Sequence, residues 1–272
     1  SPSETSGPAI AGVATPEPIS HSYRDNHNHW LRGGFPSSLS AKNEEASLRW
    51  RRNLLNGILN RNYHDLELPA HIRIKDILCW VATQNGSEID LAACPLEKPH
   101  ETKQAIDVLY RLGIIRWLPN ISTSPKQSFK RKRKIYIRDS GLLHAALGIR
   151  KLVQLDNIAL GSSWEGYAIE AMIVATGCSD AFFYREQGEN GKFEEIDLVL
   201  DFRSTLGELI AIECKTSPTK SAKEGFHNAC NQIGATQRFV VHSGSDPVPD
   251  ANIERLDLIS VLRRLRKITF DA

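Results

Sequence analysis

EEIDLVLDFRSTLGELIAIECK, residues 194–215, is the stretch on which the fold turns. Two strand-like runs, Ile196 to Phe202 and Leu209 to Lys215, flank a turn from Arg203 to Glu208. If the turn holds an odd number of residues, antiparallel pairing puts Asp197 opposite Glu213 on one face, with Cβ atoms ~5 Å apart. Lys215 then shares that face. Opposed carboxylates repel and weaken a sheet unless a cation sits between them. A divalent ion meets that need, and Mg²⁺ or Mn²⁺ takes oxygen ligands while keeping several waters. Asp197 and Glu213 are therefore the expected metal ligands, and Lys215 is placed to orient or activate an attacking water. The chemistry this suggests is phosphodiester hydrolysis, with the metal polarising the phosphoryl oxygen. A register slip of one residue would send one carboxylate to the other face. Cys214, between Glu213 and Lys215, is expected to point the opposite way and to be structural.

Around this hairpin the pattern is α/β. Gly161 to Thr176 reads as a helix with Trp164, Tyr167, Ala168, Ala171, Met172 and Ala175 along one stripe. Ala181 to Arg185 reads as a strand, Ala222 to Ile233 as a helix, Gln237 to His242 as a strand and Leu256 to Leu265 as a helix. Helix, three-strand meander, helix, strand, helix defines a mixed sheet covered by helices.

Upstream the spacing predicts helices over Glu44 to Tyr63, Ile72 to Thr83, Ser87 to Ala93 and His100 to Leu112, with Ser87 capping the third. Strands at Ile114 to Leu118 and Lys134 to Ile137 follow. Three helices and then a hairpin is the order of a winged helix. The hairpin tip KQSFKRKRK, residues 126–134, holds six basic residues in nine. Lys126, Lys130, Arg131, Lys132, Arg133 and Lys134 are therefore expected to contact the phosphates of DNA, where each neutralised charge releases counter-ions. The fold class is α/β, a helical winged-helix-like region followed by a restriction-endonuclease-like mixed-sheet domain. The expected division is a flexible leader and hinge over 1–35, the winged-helix-like domain over 36–150 and the α/β domain over 151–272. Pro, Ser, Gly and Ala dominate the first 20 or so residues, and the missing initiator Met suggests a fragment.

The 272 residues, 41% apolar, suffice for two modest cores, and a net charge of +2 makes local charge more informative than the sum. No run approaches the ~18 consecutive apolar residues that cross a bilayer, so a cytosolic address is expected. Five widely spaced cysteines without a CxxC pair argue for reduced thiols.

GSSWE (161–165), YRE (184–186), EIDLVL (195–200) and IAIECK (210–215), in that order, resemble the PD-(D/E)XK nuclease superfamily, which includes restriction enzymes and archaeal Holliday-junction resolvases. The resemblance implies that Asp197, Glu213 and Lys215 take the D…ExK positions and Glu165 that of the helix-borne acid. Arg185 falls where related proteins place a basic residue that meets nucleic acid. HWLRGGFP (29–36), KIYIRDSGLL (134–143) and GSSWEGYAIE (161–170) are similar to the C-terminal half of a large prokaryotic family of predicted AAA-type ATPases. That likeness implies an ATPase core upstream or in another chain. No GxxxxGK[ST] loop occurs in these residues, so no ATP site is expected here.

Ser162 and Glu165 also spell an S-x-x-E capping box, an alternative role for Glu165. Glu170 lies about 140° around the helix from Glu165, too far to share one ion. His27, Asn28 and His29 spell HNH by coincidence, and Trp30 and Phe35 beside Gly33 and Gly34 read as a packed turn. Two functions stay open: a Mg²⁺- or Mn²⁺-dependent deoxyribonuclease, or a catalytically silent module of that fold binding nucleic acid or protein. Oligomerisation is compatible with either.

Overall fold

The computed structural model describes residues 23–61, 68, 72–94, 98–121, 133–188, 191–245 and 253–270. Helices α1 (Tyr23–Arg32), α2 (Pro36–Leu39) and α3 (Glu44–Arg61) come first. They are followed by α4 (Ile74–Thr83), β1 (Ser87–Glu88), a 3-10 turn at Leu91–Ala93, α5 (Pro99–Arg111), β2 (Ile115–Pro119), β3 (Arg133–Ile137) and α6 (Ser140–Ala146). Strand β3 lies between β1 and β2, antiparallel to both. From α4 to β3 the order is helix, strand, short turn, helix, strand, strand. The helix expected over Ser87 to Ala93 is not there. Ser87 and Glu88 pair with Ile135 and Lys134, and Asp90, not Ser87, caps the remaining turn by accepting from the Ala92 N–H at 2.9 Å. Of the leader and hinge expected over 1–35, residues 1–22 lie outside the described residues, as does the basic tip at Lys126, Lys130, Arg131 and Lys132, and Tyr23–Arg32 form α1.

The second half runs α7 (Asn157–Thr176), β4 (Ala181–Gln187), β5 (Phe193–Phe202), β6 (Glu208–Lys215), α8 (Glu224–Ile233), β7 (Gln237–His242), β8 (Glu254–Asp257) and α9 (Leu258–Phe270). Its sheet has the order β4-β5-β6-β7-β8, antiparallel through β6 and parallel beyond it. The β6–α8–β7 crossover supplies the parallel step. Where one helix is expected from Leu256 to Leu265, the chain first makes β8, which pairs with β7, and turns helical at Leu258.

Burial explains the layering. Leu198, Leu200, Ile210 and Ile212 turn toward α7 and α9, meeting Trp164, Ala168, Met172, Val261 and Leu265. Val199, Leu209, Ala211 and Val240 turn the other way, toward Phe226, Ala229 and Cys230 of α8. A third cluster, from Leu48 through Ala145, holds the helical half together. The two halves are not separate beads. Trp30, Leu118 and Tyr136 of the first half are buried in the core of the second, and the Trp30 ring meets Trp164 edge-on at 5.2 Å between centroids.

The strings near Gly33 and Gly141 form a packed junction. Asp139 accepts from the Gly34 N–H at 2.8 Å and caps α6 through Leu142 N–H at 2.7 Å. A Cβ on Gly141 would come within 2.1 Å of the Arg32 carbonyl oxygen. Arg51 is buried behind this turn and donates to the Leu31 and Gly141 carbonyls at 3.1 and 2.9 Å.

Candidate functional site

The β5–β6 register pairs Leu198 with Ile212 and Phe202 with Glu208, leaving an odd number of residues in the turn. The next step along the ladder sets Asp197 across from Glu213. There the regular pairing ends, and the Cys214 N–H donates to Asp197 Oδ2 at 2.8 Å. On the other side of β5, Phe182 pairs with Val199 but Tyr184 with Ile196, so two steps of β4 span three of β5. Ile196 and Val199 both face α8 as a result, and Asp197 sits at the bulge between them. A bulge re-aims a side chain without ending the sheet.

Asp197 is partly buried, its side chain 13% exposed, and Glu213 is 7% exposed. Burial, and after it the charges of Glu213 and Glu165, push the Asp197 carboxyl well above the ordinary range, although Lys134 and the Cys214 N–H oppose this. Glu213 is also raised, by burial, against the pull of Lys215, whose ammonium bonds it directly. Asp197 and Glu213 line a cavity of about 380 Å³ with Glu194, Glu195, Lys223 and Phe226. Glu165, Cys214, Lys215 and Lys220 line a neighbouring one of about 420 Å³. Cys214 thus borders the second cavity and also packs toward the α7 side; burial first, then the nearby carboxylates, pushes its thiol well up and keeps it un-ionised.

Glu165 belongs to the interior of α7. That helix starts at Asn157, where Asp156 accepts from the Ala159 N–H at 2.7 Å, and the Ser162 hydroxyl bonds back to the Ala159 carbonyl. The capping-box role for Glu165 is therefore overturned. Its Oε1 instead accepts from the Tyr136 hydroxyl and from Lys134 Nζ at 3.2 Å. Glu170 points elsewhere, held by Arg116 at 2.6 Å and Arg138 at 2.7 Å.

Lys134, grouped in the sequence with the basic tip, turns inward. Its ammonium lies 2.9 Å from Glu195, 3.2 Å from Glu165 and 3.9 Å from Asp197. Burial works against its charge, and the pull of Glu165, Asp197 and Glu195 more than reverses this, so its pKa is raised. Arg133 stays exposed. Arg185 stands at the rim, stacked over Phe193 at 4.3 Å and 3.9 Å from Glu195. Lys134, Tyr136 and Glu195 are the members that sequence reasoning missed. Strand alternation held the signal, since residues 134 and 136 share one side of β3 and Glu195 is two residues from Asp197.

Four carboxylates (Glu165, Glu195, Asp197, Glu213) thus meet three cations (Lys134, Lys215, Arg185). An all-oxygen donor set with excess negative charge suits Mg²⁺ or Mn²⁺. Among the described residues, no three His, Cys, Asp or Glu side chains gather closely enough to hold an ion by themselves. Asp197 and Glu213 are the residues that would hold one, with water completing its shell.

Residues 23–152 match the family described as "Domain of unknown function (DUF8612)", and residues 160–261 match "Domain of unknown function (DUF4143)". Uncharacterized proteins of Mycobacterium bovis and Mycobacterium tuberculosis are each 29% identical over 229 residues, 81% of this chain and 49% of theirs. The chain spans about half the length of these curated relatives. The crystal structure of protein VC1899 from Vibrio cholerae aligns with a TM-score of 0.30 at 13% identity, over 92% of this chain and 56% of that one, a likeness too slight to define the fold. No helix among the described residues is long and apolar enough to cross a membrane.

Proposed function

We propose that the chain is a metal-dependent nuclease module, in which the winged-helix-like half holds DNA and the mixed-sheet half hydrolyses its phosphodiester backbone. The observation that supports it best is the facing of Asp197 and Glu213, both little exposed, with Lys215 in contact and more carboxylates than cations around them. In this reading Asp197 and Glu213 carry Mg²⁺ or Mn²⁺, which polarises the phosphoryl oxygen. Lys215 orients the attacking water, and Glu165 shapes the charge of the second cavity. Arg133, Arg185 and the basic tip at Lys126, Lys130, Arg131 and Lys132 meet the phosphates. The likeness to the C-terminal half of AAA-type ATPases supports a pairing with an ATPase core, upstream or in another chain. In a longer protein of that kind, the module would act on DNA that the core delivers.

The test is incubation with supercoiled, linear and branched DNA in Mg²⁺ or Mn²⁺. Cleavage lost in Asp197→Ala and Glu213→Gln, and reduced at least ~100-fold in Lys215→Ala, is the expected result. Cleavage that survives Asp197→Ala excludes the site. A second reading, a silent module for nucleic acid or protein, draws on one observation: an ammonium already stands among the carboxylates. DNA binding without cleavage in either metal would favour it.

A further inference from the structure

We infer that Lys134 is the resident counter-ion of the carboxylate cluster, delivered by the winged-helix-like half, and that a divalent metal reaches Asp197 and Glu213 in competition with it. This rests on the metal-dependent reading above. Lys134 comes from β3, which belongs to the other half of the molecule and is hydrogen-bonded into that half's own sheet through β1 and β2. Its side chain is 6% exposed, its ammonium touches carboxylates from α7 and β5, and the Phe183 ring lies 5.2 Å away. Tyr136, two residues along, donates to the same Glu165 oxygen. Two residues of one strand therefore end on the acid carried by α7.

A surface ion pair could be given up at little cost. Here the lysine side chain is 6% exposed and those of its partners Glu165 and Asp197 19% and 13%, so removing the ammonium leaves those two carboxylates facing one another with little solvent, while Glu195 at 34% keeps more. Lys215 serves Glu213 and Arg185 lies by Glu195, so the ammonium of Lys134 is the cation that serves Glu165 and approaches Asp197. An ammonium at Lys134 and a divalent ion at Asp197 would sit within a few ångströms of each other, where like charges in a poorly screened site repel strongly. As metal enters, the ammonium, 3.9 Å from Asp197, is confined to Glu195 and Glu165, which it already meets at 2.9 and 3.2 Å, or leaves the cluster with a shift of β3. Metal affinity is in this way tied to the position of the strand that leads out of the basic tip.

Calorimetric titration of Mn²⁺ into the wild-type chain, Lys134→Gln, Asp197→Asn and the double variant tests the inference. The expected result is Mn²⁺ binding at least tenfold tighter in Lys134→Gln than in wild type, with the gain erased by adding Asp197→Asn. Equal affinity in wild type and Lys134→Gln, abolished in both by Asp197→Asn, overturns the role of Lys134 and leaves the metal site standing. Absence of Mn²⁺ binding in every chain overturns the metal reading and this inference with it. Should Lys134→Gln not fold in metal-free buffer, recovery of its native circular dichroism on adding Mn²⁺, but not on adding Na⁺ to equal ionic strength, supports the competition. No recovery with Mn²⁺ overturns it.

Discussion

Asp197 is a carboxylate in a place that disfavours its charge. Burial, Glu213 and Glu165 all raise its pKa, so the ionised form costs stability at neutral pH. Asp197→Asn keeps an oxygen to accept the Cys214 N–H and removes the repulsion. The metal-free variant should be more stable than wild type by on the order of 1 kcal/mol in urea unfolding, the pattern of a site built for function rather than stability. A less stable Asn variant would mean that the Lys134 pairing outweighs the repulsion. His144 makes the opposite case. It is fully buried between the Leu31 carbonyl and the Ser163 hydroxyl, and burial lowers its pKa from 6.5 to about 4. A depressed histidine is neutral when folded and takes up a proton on unfolding. Its contribution is therefore complete above pH 6.5 and is lost as pH falls toward 4. Between pH 7 and pH 5 it should remove about 2 kcal/mol of stability, a slope that His144→Asn would lack. Parallel pH profiles for the two chains would contradict this.

At the scale of elements, the junction between α1 and α6 needs Gly141 for space, as it needs Gly33, at a φ of +76°, for backbone angle. Gly141→Ala drives a methyl into the Arg32 carbonyl, a backbone atom with no rotamer to escape by, and should cost at least about 2 kcal/mol. Gly57→Ala, inside α3 with nothing within 4 Å of the new methyl, should instead gain about 0.5–1 kcal/mol. Chemical denaturation of both variants checks the pair, and a neutral Gly141→Ala would show that the two elements are loosely seated. The longer elements were legible in the sequence because their periodicity is long: α3, α5, β6 and β7 fall within two residues of where the apolar spacing puts them, while α7 and β5 begin four and three residues earlier. The carboxylate register was legible only as a condition: it required an odd turn, and the pairing of Phe202 with Glu208 supplies one. Elements defined by their neighbours were not legible. β1 is two residues long and exists because Ser87 and Glu88 pair with β3. Residues Glu254–Asp257 carry no strand pattern of their own and become β8 through β7. Lys134 was misplaced for a related reason: charge density in a run of basic residues hid the alternation that turns one of them inward.

For the whole molecule, the consequence is that its two halves meet at the candidate site as well as in the core. Trp30, Leu118 and Tyr136 tie the helical half to the sheet, and Lys134 and Tyr136 tie it to the carboxylates. A nucleic acid bound along that half, as proposed, would therefore engage the strand that carries Lys134 and Tyr136 to the carboxylates. The central claim is that Asp197 and Glu213 together bind a divalent ion. Anomalous scattering from crystals of wild type and Lys134→Gln soaked in Mn²⁺ tests it most directly. The account predicts a manganese peak about 2.2 Å from a carboxylate oxygen of each residue, at higher occupancy in the Lys134→Gln crystals. Crystals of both chains that show manganese elsewhere, with none between residues 197 and 213, would contradict it.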